Sequence, residues 1–148
     1  MKRNITILLA GLLYLQINAA NAVEWLTDLA KAEAKAKAEN KMVLLDFTGS
    51  DWCGWCIRLN KEVFSQPEFA QYAAKNVVLV EVDFPRRKPQ AAAQKAANGA
   101  LAAKYKIEGY PTIIVLDGSG NMIGKTGYLP GGPKIFTAAL DAMKKTGK

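Results

Sequence analysis

The 148-residue sequence contains no histidine and only two cysteines. A structural zinc site needs about four ligands, and neither histidine nor a second cysteine pair is there to supply them. A c-type haem would need histidine directly after its second cysteine, where Ile57 stands instead. Long apolar runs are missing too. Ile5 to Leu15, interrupted by Thr6 and Gly11, falls well short of the ~20 residues that cross a bilayer as a helix. No internal repeat and no linker divides the chain.

What is present begins with an address. Lys2 and Arg3 precede the apolar run, and Ala20-Asn21-Ala22 supplies the small-x-small pattern of a cleavage site. We expect residues 1–22 to be a signal peptide and residues 23–148 to form one domain, exported to a bacterial periplasm. No cysteine follows the run directly, which argues against a lipid anchor. Half of the residues are hydrophobic, which suits a globular domain with one core. The formal net charge is +7 and falls to +5 when Lys2 and Arg3 leave with the leader. The excess is scattered apart from Arg86-Arg87-Lys88 and Lys144-Lys145, and reads as solvated surface charge rather than a nucleic-acid footprint.

Along the mature chain, helices alternate with strands. Trp25 opens on a short strand, and Thr27 to Glu39 has high helix propensity, with Asn40 as its stop. Met42–Phe47 is apolar almost throughout and reads as a strand covered on both faces. Ile57–Phe64 reads as a helix, and Pro67 to Ala74 as a second one. Val77–Val82 is another buried strand, with Glu81 as its one charged member. A loop from Phe84 to Pro89 leads into an Ala-rich helix, Ala91 to Tyr105, with a break expected at Asn98-Gly99. Thr112–Leu116 and Met122–Thr126 form a hairpin, and Lys134 to Lys145 is the last helix. The pattern is α/β, a sheet flanked by helices.

The two cysteines, Cys53 and Cys56, lie where a strand turns into a helix, in Trp52-Cys53-Gly54-Trp55-Cys56. So short a disulfide loop restricts the unfolded chain little, so a purely structural bond is not expected. A pair at this spacing can close and reopen a small ring. The helix N-terminus favours a thiolate on the first cysteine. This reads as redox chemistry, with no cofactor and no metal.

With Leu45-Asp46-Phe47 before it and Gly109-Tyr110-Pro111-Thr112 opening a later strand, the motif resembles the thioredoxin superfamily, and within it the exported bacterial thioredoxin-like proteins of the DsbH type. The resemblance implies a thioredoxin fold: a central mixed sheet flanked by helices, with a C-terminal β-hairpin and helix. It implies that Cys53 is the exposed nucleophile and Cys56 the buried resolving thiol, joined in the oxidised state as a redox disulfide. Asp46 matches the buried acid that shuttles the proton of Cys56. One extra residue lies between that acid and Trp52, however, and the lysine that often pairs with it has no match, since Leu79 falls near its place. Read by itself, Pro111 is a trans proline starting a strand; the resemblance makes it a cis-proline opposite the cysteines. Trp52, Trp55 and Tyr110, with Tyr128 beside them, would form an apolar rim for a substrate chain. Gly127 would leave room for the substrate backbone, and Trp25 would be core.

The direction of electron flow follows from the neighbours of Cys53. Gly54 and Trp55 bring no positive charge, and Asp51 would oppose the thiolate. A weakly stabilised thiolate makes a reducing couple. The expected partners are exported proteins with disulfides and a membrane or periplasmic thiol electron donor, with the protein a monomer. Two alternatives stay open: a disulfide oxidase or isomerase, and a non-enzymatic chaperone or Cu(I)-delivery module.

Overall fold

The computed structural model describes residues 23–147; the expected leader lies outside the described residues. Among the described residues five strands form one mixed sheet. Its spatial order is β1 (Trp25–Leu26), β3 (Val77–Asp83), β2 (Met42–Thr48), β4 (Thr112–Leu116) and β5 (Met122–Thr126). β2 is buried at every position. It runs parallel to β3 and antiparallel to β4, which pairs antiparallel with β5.

Because side chains alternate along a strand, β2 and β3 feed two cores. Met42, Leu44, Val77 and Leu79 point to one face, against Leu59, Phe64, Phe69 and Phe136. Val43, Leu45, Phe47, Val78 and Val80 point to the other, against Ala32 and Ala36. The helices are α1 (Leu29–Glu39), α2 (Gly54–Leu59), α3 (Pro67–Asn76), α4 (Ala92–Lys104) and α5 (Gly132–Thr146). α2, α3 and α5 supply the first core, while α1 and α4 cover the second face. The Asp28 carboxylate caps α1 by accepting the Lys31 N–H at 3.2 Å. Asn40 ends that helix in the left-handed region at φ 53°, a conformation asparagine enters more readily than most residues. α2 begins earlier than expected, at Gly54, because Cys53 caps it. It runs on through a π-helical turn, Asn60–Phe64, before α3.

The expected break at Asn98-Gly99 does not occur, and α4 runs unbroken from Ala92 to Lys104. Asn98 is buried rather than exposed. Its Nδ2–H donates to the Asp83 carbonyl at 2.8 Å, and its Oδ1 accepts from Gln94 at 2.8 Å. A Cβ at Gly99 would meet nothing within 4 Å. The asparagine is therefore a tertiary anchor and the glycine a solvent-side residue. Asn98→Ala should lower unfolding free energy by about 1–3 kcal/mol, the cost of orphaning buried polar groups. Gly99→Ala should raise it by ~0.5–1 kcal/mol through helix propensity. Urea unfolding midpoints at unchanged slope would check both.

Candidate active site

Cys53 and Cys56 are joined in a disulfide, with their Cα atoms 5.2 Å apart. The ring sits on the first turn of α2. The Cys53 Sγ accepts the Cys56 N–H at 3.2 Å, so the sulfur itself caps the helix. The preceding turn closes on the Gly49 carbonyl, which accepts the N–H groups of Trp52 at 3.2 Å and Cys53 at 2.8 Å. Any Cβ at Gly49 would overlap the Trp52 indole, so that close approach requires glycine. Both cysteines are largely covered in this oxidised form, Cys53 at 7% exposure and Cys56 at 4%. Exposure therefore does not distinguish the two cysteines.

Behind the disulfide, a cavity of about 320 Å³ is lined by Cys56, Asp46, Glu81, Trp25, Asn60 and Phe64 among others. Asp46 thus shares a cavity with Cys56 despite the extra residue between the acid and Trp52. Its Oδ1 has no hydrogen-bond partner among the described residues. Burial, reinforced by the charges of Glu81 and Asp83, pushes its carboxyl up to about 8. Trp25 is only partly buried and meets Phe64 edge-on at 5.1 Å, so it walls this cavity as well as packing against the core.

The residue facing Asp46 across the sheet is not Leu79, which pairs with Leu44. It is Glu81. The parallel register starts at Met42 opposite Val77, and counting from there puts two carboxyls on adjacent strands and the same face. Burial, then Asp83, raises the Glu81 pKa, while Lys88 opposes the rise. Glu81 is the functional candidate that sequence reasoning missed. Its signal, a lone charge in an apolar strand, was visible, but its partner was not.

Asp83 behaves differently. Burial opposes its ionisation, but the Ser50 N–H and O–H, at 2.9 and 2.7 Å, and Lys88, at 2.9 Å, hold it below the usual carboxylate range. Asp51, expected to oppose the thiolate, is engaged elsewhere. Its carboxylate accepts the N–H groups of Arg86, Arg87 and Lys88 at 3.0, 2.7 and 3.0 Å, which depress its pKa.

The aromatic residues form two clusters. The Trp52 Nε1–H donates to the Phe84 carbonyl at 2.8 Å, and its ring meets Tyr110 edge-on at 5.9 Å. Trp55, 55% exposed, lies 5.1 Å from Tyr128. Arg58 covers both of those rings at 5.5 and 5.4 Å and pairs with Glu62 at 2.7 Å. The Tyr110–Pro111 peptide bond is cis, and a Cβ at Gly127 would stand 3.1 Å from the Pro111 carbonyl oxygen. Among the described residues no three histidine, cysteine or acidic side chains converge as a metal set, and no helix is long and apolar enough to cross a membrane.

A sheet of this topology carrying a reversible dithiol on a helix N-terminus defines a thiol-disulfide oxidoreductase. The family model for a thioredoxin-like domain matches residues 29–144, and the chain belongs to that family. It is 35% identical over 129 residues to the disulfide bond reductase DsbH of Chlamydia pneumoniae, across 87% of this chain and 76% of that protein. The solved structure of a DsbH oxidoreductase superposes with a TM-score of 0.78 at 32% identity, covering 92% of this chain and 95% of that one. The thiol:disulfide interchange protein DsbD of Cronobacter sakazakii is 40% identical over 96 residues, 65% of this chain but only 15% of that protein. The particular type is therefore DsbH/DsbD-like.

The buried acid has a consequence for stability. Above about pH 4 the unfolded chain ionises Asp46, whereas the folded oxidised protein holds the proton until about pH 8. Folding is therefore progressively disfavoured as pH rises through that window. Asp46→Asn, neutral in both states, should escape the loss. Its stability gain over wild type should grow between these limits to roughly 5–6 kcal/mol, at about 1.4 kcal/mol per pH unit, and then level off. Glu81→Gln should narrow the window by lowering the Asp46 pKa. Thermal or urea unfolding of the oxidised proteins across pH 4–9 would check both. A gain independent of pH would mean that Asp46 is not held neutral.

Proposed function

We propose that the chain is a periplasmic thiol-disulfide reductase, exported by the leader at 1–22, that reduces disulfides in exported proteins. The observation that carries the direction is the polar environment of Cys53. Among the described residues its Sγ receives one hydrogen bond, from the Cys56 N–H. Arg58, the nearest cation in sequence, pairs with Glu62. A thiolate with so little support leaves the disulfide favoured, and the dithiol gives electrons away. The relative DsbH, named a disulfide bond reductase, supports the same direction.

In the proposed cycle the Cys53 thiolate attacks one sulfur of a substrate disulfide. That S–S bond breaks, a mixed disulfide forms, and the substrate's other sulfur leaves as a thiolate and takes up a proton. Cys56, as its thiolate, then attacks the Cys53 sulfur. The substrate's first cysteine leaves as a thiol, and the Cys53–Cys56 disulfide remains. Two electrons have moved to the substrate, and a membrane or periplasmic dithiol donor returns the enzyme to its reduced form. Asp46 takes the Cys56 proton. Its raised pKa makes it a stronger base than an ordinary carboxylate and leaves it neutral once protonated. The Asp46–Glu81 cavity gives that proton a way out. Trp52, Trp55, Tyr110, Pro111 and Gly127 line the path of the substrate chain, and the Tyr110 backbone pairs with it.

Cys53→Ser should abolish reduction of protein disulfides, while Cys56→Ser should accumulate mixed disulfides that can be trapped on non-reducing gels. The opposite pattern would exchange the two roles. Equilibration with glutathione buffers should give a potential of roughly −230 to −280 mV, and Trp55→His should raise it by stabilising the thiolate. A wild-type value above about −180 mV, where an isomerase couple lies, would replace the reductase with an oxidase or isomerase.

A further inference from the structure

The run Arg86-Arg87-Lys88 is bolted to the redox motif by the two residues that precede Cys53. Asp51 accepts three consecutive backbone N–H groups from this run, and the Trp52 indole N–H holds the Phe84 carbonyl. The far end of the loop is tied down as well, since the Asp83 carbonyl accepts from Gln90 at 3.1 Å and from Asn98 at 2.8 Å. With its backbone occupied, the loop leaves Arg86, Arg87 and Lys88 exposed. The Arg86 guanidinium lies over the Trp52 ring, 3.6 Å from its centroid, and Phe84 packs on Tyr110 at 5.2 Å.

Between them lies a groove of about 390 Å³. Trp52, Phe84 and Tyr110 line it with aromatic surface, Arg86 and Lys95 add positive charge, and Lys88, also in the wall, is paired with Asp83. No carboxylate lines it. The acids of this region are already engaged, Asp51 with backbone N–H groups and Asp83 with Ser50 and Lys88. Among the described residues Arg86, Arg87 and Lys95 have no ion-pair partner. The aromatic cluster at Trp55 differs, because its arginine is neutralised by Glu62. Positive charge, with Arg86 seated on Trp52, is thus left unpaired beside the residue that precedes the nucleophile and the residue that precedes Pro111.

We propose that this groove binds the stretch of a protein substrate next to its disulfide, and that it selects substrates in which that stretch is acidic. The proposal rests on the thiol-disulfide exchange reading and names a substrate class for it. Aromatic surface takes the apolar parts of an extended chain, and the fixed cations attract Asp and Glu side chains and repel Lys and Arg. Such a contact raises the encounter rate and weakens with salt.

The test uses the reduced full-length mature protein and three peptides that share one disulfide loop and differ only in an adjoining acidic, neutral or basic triplet. In dilute buffer the acidic peptide should be reduced about tenfold faster than the neutral one, and the basic one more slowly. In about 1 M salt, where the screening length falls to ~3 Å, the three rates should converge. The double variant Arg86→Gln, Lys95→Glu should abolish the acidic preference and make the basic peptide the fastest, a reversal that misfolding does not produce. Equal rates for all three peptides with the wild type, or an acidic preference that survives in the double variant, would overturn the proposal. Failure to reduce any peptide would instead overturn the redox reading beneath it.

Discussion

The parallel pairing of β2 with β3 is the constraint on which the rest of the site depends. Seven residue pairs run from Met42–Val77 to Thr48–Asp83, and their apolar lower rungs set the register by burying Met42, Leu44, Val77 and Leu79 in one core. A slip by one residue would send every side chain to the opposite face. With the register held, the same face that is apolar at the start of the strands becomes polar at their ends, where Asp46 and Glu81 meet under α2. The core therefore does more than stabilise the domain. It holds two carboxyls together beside Cys56, in a place that neither would occupy alone.

The four acids around the redox motif show how environment divides one functional group into two kinds. Asp46 and Glu81 have little hydrogen-bond support and are raised by burial. Asp51 and Asp83 accept several N–H or O–H donors and are depressed. Burial thus favours the protonated form in the first pair, while donated hydrogen bonds keep the second pair ionised as structural glue. Asp51 and Asp83 join the cysteine motif to the segment after β3, so the scaffold of the site is itself electrostatic. The unpartnered Asp46 lowers stability at neutral pH, a cost of the sort often found at functional sites.

Much of this protein was legible in its sequence, and for a physical reason. Elements whose signals are local came through: the apolar runs of β2, β3 and β4, the alanine-rich helices, the Asn40 stop and the hairpin between β4 and β5. Each rests on propensity, periodicity or turn chemistry within a few residues. The redox pair came through for the same reason, since Cys53 and Cys56 share one helical turn and need no distant residue to form their ring. The family resemblance then brought Asp46, Tyr110, Pro111 and Gly127 into view.

What only the tertiary structure decided involves residues far apart in the chain. The partner of Asp46 is 35 positions away, and a miscount of two residues in register is the difference between Leu79 and Glu81. Asn98 looked like a helix breaker because its local preference is for turns; a carbonyl 15 residues earlier, on Asp83, makes it an anchor. Asp51 reads in the sequence only as a charge beside the thiolate; that its carboxylate also ties down three N–H groups 35 to 37 residues further on appears only in the fold. Chemistry set within one turn of helix is written in the sequence, whereas chemistry set by the register of neighbouring strands and by a folded-back loop exists only once the core has brought those segments together.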